Sequence, residues 1–209
     1  MASNPHADLR ELLFADLSAA RAREVFGHVS APIVALADAS EAHDASAAAV
    51  ALAQLDAANP ETRVRLQAFA LARAAGVAPD ADAKDVFGVV VDMGLAEGLD
   101  TLAAFADGSA RYFNHSGAAL VWDPPDMTVG QLARALLDAA AAIAIMTGTL
   151  DGPRPAAPGS GQAMISVLTP GGIHFGVGPA DALANDPWAG PVITAATELM
   201  AHLIERSGH

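Results

Sequence analysis

The sequence predicts an α+β fold in which an all-helical N-terminal region precedes an antiparallel β-meander. Residues 85–123 alternate short apolar runs with glycine-bearing turns, as expected for four consecutive strands. Residues 1–80 instead carry helix-capping patterns and apolar side chains at helical spacing. A helix, a hairpin and a final helix follow the meander. Strands grouped in antiparallel runs favour α+β over a doubly wound sheet.

The first 80 residues are predicted to form alanine-rich helices. Asn4-Pro5 and Asn59-Pro60 each place a capping residue before a proline, the pattern with which helices begin. Large side chains are few, so each helix pair buries little apolar area, worth about 25 cal/mol per Å². We therefore expect this region to depend on the sheet or on another subunit for stability. The polar connector 77–84 predicts a boundary between a helical region (1–80) and a sheet domain (81–209).

The meander predicts strands over about 86–93, 100–106, 109–115 and 118–123. The first of these is continuously apolar, which is typical of an interior strand covered on both faces. Asp107-Gly108 favours a two-residue type I′ turn, and this turn would place Ala104 opposite Arg111 and Leu102 opposite Phe113. A second turn at Ser116-Gly117 would place Arg111 opposite Trp122.

The remaining elements are predicted to cover and extend this sheet. Thr128 to Gln131 matches a capping box, and the helix behind it has a wide apolar stripe suited to lying across a sheet. Its most apolar run, 139–146, is shorter than the ~20 residues of a membrane span, so we expect a buried helix. The Pro- and Gly-rich stretch 148–161 predicts a mobile loop. Strands over 163–168 and 173–177 form a hairpin whose Pro170-Gly171 turn leaves the register open.

Composition limits the possible partners. With 24 acidic against 11 basic residues the net charge is −13, which disfavours binding to nucleic acid. The absence of cysteine excludes disulfides, thiolate metal sites and cysteine nucleophiles. The N-terminus lacks the pattern of a secretory signal, so we expect a cytoplasmic protein with no membrane partner. The alanine- and arginine-rich usage is typical of a GC-rich coding sequence and indicates a bacterial source.

Candidate ligand- or partner-binding side chains gather at the end of the meander. They are Arg111, Tyr112, Asn114, His115 and Trp122, with His174 added from the hairpin. Each also has a structural interpretation. Arg111 could lie on Trp122 in a cation–π contact of ~1 kcal/mol, and Asn114 could satisfy the backbone of its turn.

A metal or general acid–base site needs His115 and His174 to meet near Asp92 or Asp100, and the sequence does not force them together. Phosphate and dinucleotide motifs are missing from the sequence: Gly159-Ser160-Gly161 has no lysine after it, and Gly176-Val177-Gly178 is followed by proline. We therefore expect no metal and no cofactor.

These observations predict a non-enzymatic interaction or assembly module, forming a homo-oligomer or binding a protein partner. The alternative is a small-molecule enzyme or ligand-binding protein with its pocket near His115 and His174.

Overall fold

A computed structural model describes residues 7–58, 61–78, 83–123 and 126–207. The helices that precede the sheet are α1 (Ala7–Glu11), α2 (Ala19–Phe26), α3 (Ala31–Ala42), α4 (Ala45–Ala57) and α5 (Thr62–Ala74). The meander is β1 (Gly88–Gly94), β2 (Leu99–Phe105), β3 (Ala110–Phe113) and β4 (Ala119–Trp122). Then come α6 (Met127–Met146), β5 (Gln162–Thr169), β6 (Gly172–Pro179), α7 (Ala180–Ala184) and α8 (Ala189–Ser207). The predicted α+β class and all six predicted strands are confirmed.

The six strands form one antiparallel sheet in the order β4-β3-β2-β1-β5-β6. One face carries Val89, Val91 and Leu102 and packs against α6 and α8, as the apolar stripe of α6 predicts. The other face carries Val90 and Phe105 and is covered from the N-terminal side, by residues that include Leu13, Phe14 and Leu66. Both faces of the central strands are therefore buried, in agreement with the continuous apolar run of β1.

The predicted register of the meander is wrong by one residue. Ala104 lies opposite Ala110 rather than Arg111. The cause is the loop, which has three residues, 106–108, and closes with a bond from the Phe105 N–H to the Ser109 carbonyl at 3.0 Å. Gly108 has φ +83°, the left-handed conformation that ends a type I turn in a three-residue hairpin.

The second turn repeats this geometry. Residues 115–117 form the loop, the Asn114 N–H donates to the Ala118 carbonyl at 3.0 Å, and Gly117 has φ +96°. Arg111 therefore lies opposite Val121 rather than Trp122. Because side chains alternate along a strand, a slip of one residue moves Arg111 to the face opposite that of Leu102.

Several polar contacts attach the helical region to the sheet, among them one from α1 and one from α5. Arg10 of α1 donates to both carboxylate oxygens of Asp92 in β1, at 3.0 and 2.6 Å, and Thr101 adds a third donor at 2.6 Å. Asp107 in the β2–β3 turn accepts from the Thr62 N–H at the start of α5 at 2.9 Å. The helices also share a core of their own, centred on side chains such as Ile33, Leu36 and Leu55. The dependence of the helical region on the sheet or on another subunit stays a prediction. So does the boundary near residue 80, since residues 79–82 lie outside the described ranges.

Two further expectations concern the later elements. α6 has 20 residues, so by length and composition alone it is the one helix in the described part of the chain that could cross a membrane. Its apolar side chains pack against the sheet and against α8. The other expectation is a mobile loop over residues 148–161. In the structure this loop is held at several points: Arg154 pairs with Glu11 and Asp16, and the Gly161 N–H donates to the Gly94 carbonyl.

Candidate functional site

Tyr112 and His115 meet at one carboxylate, that of Asp100 in β2. The Tyr112 hydroxyl donates to Oδ2 at 2.7 Å. The backbone N–H of His115 donates to Oδ1 at 2.8 Å, and the ring Nδ1 of His115 lies 2.9 Å from the same oxygen. Burial and the bond to Asp100 raise the pKa of Tyr112, so its hydroxyl remains a neutral donor. This network fastens the β3–β4 turn to the start of β2.

Asn114 serves the turn itself. Its side-chain Oδ1 accepts from the Ser116 N–H at 3.1 Å, the Ser116 hydroxyl at 3.0 Å and the Ala118 N–H at 2.8 Å. Three donors on one amide oxygen leave that oxygen little capacity for a ligand. The structural interpretation of Asn114, a side chain that satisfies turn backbone groups, agrees with this geometry.

The expected stacking of Arg111 on Trp122 is wrong. The Arg111 guanidinium donates to the carbonyls of Ala110 and Trp122 at 2.9 and 2.8 Å and pairs with Asp123 at 2.6 Å. The guanidinium that lies over the Trp122 ring belongs to Arg206, 5.7 Å from the ring centroid. Arg111 and Trp122 are on opposite faces because their strand positions differ by the one-residue slip described above.

His174 lies far from this cluster. It sits on β6 opposite Val167, with three strands between β6 and β3 in the sheet order, and its Nδ1 is 3.0 Å from the Thr147 hydroxyl. It is 1% exposed, and its Nε2 has no hydrogen-bond partner within the described residues. Burial, and to a lesser extent the charge of Lys84, lower the pKa of His174.

The two histidines therefore do not share a pocket. His174 is level with Val89 of β1, whereas Asp100 is level with Met93, near the other end of that strand. The other carboxylate considered, Asp92, belongs to the opposite face and is paired with Arg10. Among the residues that the structure describes, no three metal-binding side chains lie close enough to hold an ion.

Two cavities bear on the ligand-binding alternative. A cleft of about 70 Å³ beside Asp100 and Tyr112 is lined mainly by apolar side chains of β1 and α8. An open groove of about 640 Å³ runs between α1 and residues 153–157. Its three arginines already have carboxylate partners: Arg10 pairs with Asp92, Arg21 with Glu24, and Arg154 with Glu11 and Asp16. Neither cavity brings the predicted His115 and His174 together.

A different exposed surface lies at β4, the outermost strand on one side of the sheet. Tyr112 pairs with Leu120, and the Asn114 N–H already binds the Ala118 carbonyl, so the outward N–H and C=O groups belong to Ala119 and Val121. In the described ranges, no hydrogen bond covers these outer groups. Val121 is 57% exposed, and the strand Ala-Leu-Val-Trp contains no charge.

Sequence reasoning missed this surface. It named Trp122 but not Ala119, Leu120 or Val121, because a four-residue apolar run is equally compatible with an interior strand. The available signal was that a proline pair follows β4 and stops the meander there, which leaves β4 without a successor in the hairpin series.

Comparisons of the chain with protein-family models, with curated proteins and with solved structures gave no match.

Proposed function

We propose that the protein is a non-enzymatic assembly module that self-associates through β4. The observation that carries this proposal is the uncharged backbone edge of β4, whose outward groups form no hydrogen bond with any residue that the structure describes. An exposed edge strand offers unpaired N–H and C=O groups to any other strand, and proteins usually blunt it with charges, proline or a covering segment. Ala119–Trp122 has none of the first two within the strand.

Apolar side chains strengthen the proposal. Val121 is exposed on one face of the strand, and Leu120 and Trp122 are half-buried on the other face. Burial of such groups against a partner contributes about 25 cal/mol per Å². Because the chain carries a net charge of −13, two copies repel at long range, and a neutral strand is where they can approach each other most easily.

The alternative, a small-molecule enzyme or ligand-binding protein, gains less support. Of its predicted residues, Tyr112 and His115 converge on Asp100, but Asn114 is committed to its turn and His174 lies elsewhere in the sheet. Cytoplasmic location, and the absence of nucleic-acid and membrane partners, stay predictions from composition.

The oligomeric state tests the proposal. We would measure molar mass by light scattering from about 1 µM to about 1 mM, the range in which complexes with small interfaces dissociate. The wild-type chain should form an oligomer within this range. Val121→Lys places a charge on the proposed interface and should give a monomer.

Val177→Lys is the matched control. Val177 is 51% exposed against 57% for Val121, lies on the same face of the sheet and belongs to the other edge strand, β6. It should leave the oligomer intact. A wild-type protein that remains monomeric at about 1 mM, or equal effects of the two lysines, would contradict the proposal.

A further inference from the structure

We infer that two copies pair their β4 strands antiparallel about a two-fold axis at Leu120, giving a closed dimer with one continuous twelve-stranded sheet. This inference rests on the proposed self-association and specifies its geometry. An isologous interface uses the same patch on both copies, so every contact occurs twice. Two copies of one strand edge can satisfy this requirement when they pair antiparallel. A two-fold rotation then brings each outward N–H of one copy opposite an outward C=O of the other.

The ladder between β3 and β4 fixes which residues can bond to the partner. The outward groups belong to Ala119 and Val121, so these residues must occupy the hydrogen-bonded positions of the new ladder. With the axis at Leu120, Ala119 of each copy faces Val121 of the other copy. Each strand has two outward N–H groups and two outward C=O groups, and all of them then form hydrogen bonds across the interface. Leu120 then faces its own copy at a non-hydrogen-bonded position.

The side chains agree with this register. Leu120 meets its copy on the face that carries α8, and Val121 packs against Ala119 of the partner on the opposite face. Moving the axis to Val121 would require Asp123, which lies beyond the end of the strand, to join the ladder.

Charge also selects the antiparallel arrangement. Asp123 is the acid that directly follows the strand, and its side chain is 65% exposed although it pairs with Arg111. In the proposed register Asp123 faces position 117 of the partner, so the two Asp123 residues are six residues apart along the strands, about 20 Å at ~3.4 Å per residue. Parallel pairing would place them side by side, where like charges are destabilising.

The other edge of the sheet explains why the assembly closes at two copies. The Leu150 N–H binds the outward carbonyl of Ile173 in β6 at 2.6 Å, and Pro179 at the end of β6 has no N–H to offer. Once two β4 edges have joined, only β6 edges remain at the ends of the twelve-stranded sheet. The assembly should therefore stop at a dimer rather than extend into a fibre.

Single-cysteine variants test the register, because the chain contains no cysteine of its own. Leu120→Cys puts the two sulfur-bearing residues at a non-hydrogen-bonded pair with Cα atoms about 4.5 Å apart, within the range of a disulfide. Val121→Cys is the control, since its two copies would lie about 9 Å apart, beyond that range. Both are oxidised mildly and run on non-reducing gels, and their reduced forms are melted to confirm that they fold.

We expect at least about tenfold more covalent dimer for Leu120→Cys than for Val121→Cys, given these distances. Cross-linking of Val121→Cys alone would move the axis and overturn the inference. Failure of both variants to cross-link, with a wild-type dimer seen by light scattering, would overturn the pairing geometry but leave self-association standing. If neither cysteine variant cross-links and the wild-type chain is monomeric, both the pairing geometry and the proposed self-association are overturned. A mass above two chains would overturn the closed dimer.

Discussion

β4 and β6 are the two edges of one sheet, and each exposes a valine to a similar extent on the same face. The two strands differ in how far their outward backbone groups are covered. β6 is covered near its start by the Leu150 N–H, and it ends in Pro179, from which α7 begins. β4 lacks comparable cover among the described residues, and the strand itself holds no charge or proline. An exposed valine therefore says little by itself about an interface. The state of the backbone beside it distinguishes the two edges.

The difference also shows how each edge is held from within. β4 is a short strand fixed by Arg111, whose guanidinium bonds to the Trp122 carbonyl and to Asp123. β6 is a longer strand fixed by its full pairing with β5 and by His174 against Thr147. The weaker support of β4 is consistent with a strand that gains part of its stability from a partner.

The largest expected effect comes from removing one outward donor. Val121→Pro deletes an N–H that points away from β3, so the internal ladder keeps its bonds while the proposed dimer loses two of its four outward donors, one from each copy. We expect self-association to weaken by at least about 100-fold, equivalent to ~2.7 kcal/mol, as measured by sedimentation or light scattering over a dilution series.

The same change on the other edge gives the control. The N–H of Val177 also points outward, so Val177→Pro makes the same chemical change at β6. It should leave the dissociation constant unchanged. If Val121→Pro still forms the wild-type dimer, or if both prolines abolish it, the distinction between the edges is wrong.

The next effect concerns the internal support of β4. Arg111→Met keeps a long apolar side chain but removes the donors that reach Trp122 and Asp123. Asp123 is exposed, so water can solvate it once its partner is removed, and the stability lost is less than for a fully buried pair. We expect the free energy of unfolding to decrease by about 2 kcal/mol.

Urea titration measures this loss, and Arg111→Lys serves as its control. Lysine keeps the charge without the planar fork, so it should recover only part of the stability. Equal stabilities of wild type and Arg111→Met would show that the Arg111 contacts do not hold β4.

Much of the fold followed from local patterns in the sequence. The strands could be predicted because apolar runs and glycine-bearing turns alternate at regular spacing from Val86 to Trp122. The register could not, since Asp-Gly is compatible with a two-residue loop and with the last two positions of a three-residue loop. The choice depends in part on Thr62, distant in sequence, which binds Asp107 and holds the turn.

The site was less predictable than the fold. Tyr112, Asn114 and His115 were predicted together because they are adjacent in sequence, but their shared partner Asp100 could not be assigned before the β2–β3 pairing was known. His174 was predicted as a possible neighbour of His115, and the sheet order separates them. That β4 is an edge is likewise a property of the strand order, which is set by non-local pairing.

The smallest expected effect is a pH dependence at the β6 side. Burial lowers the pKa of His174 below its ordinary value of 6.5, so the folded chain resists a proton that the unfolded chain accepts. Stability should therefore fall as the pH drops below about 6.5, with a slope of at most ~1.4 kcal/mol per pH unit from this one group. Melting temperatures between about pH 7.5 and pH 5 measure this slope.

His174→Asn separates this histidine from the other six. Asparagine keeps a polar group near Thr147 but does not titrate, so the variant should show a shallower acid slope than wild type, whatever its absolute stability. His174 and Leu150 both anchor the same corner of β6, so acid should loosen that edge and spare β4. Identical slopes for the two proteins would mean that protonation of His174 does not lower the free energy of unfolding. This end of β6 would then be more accessible to water than the buried His174 ring indicates.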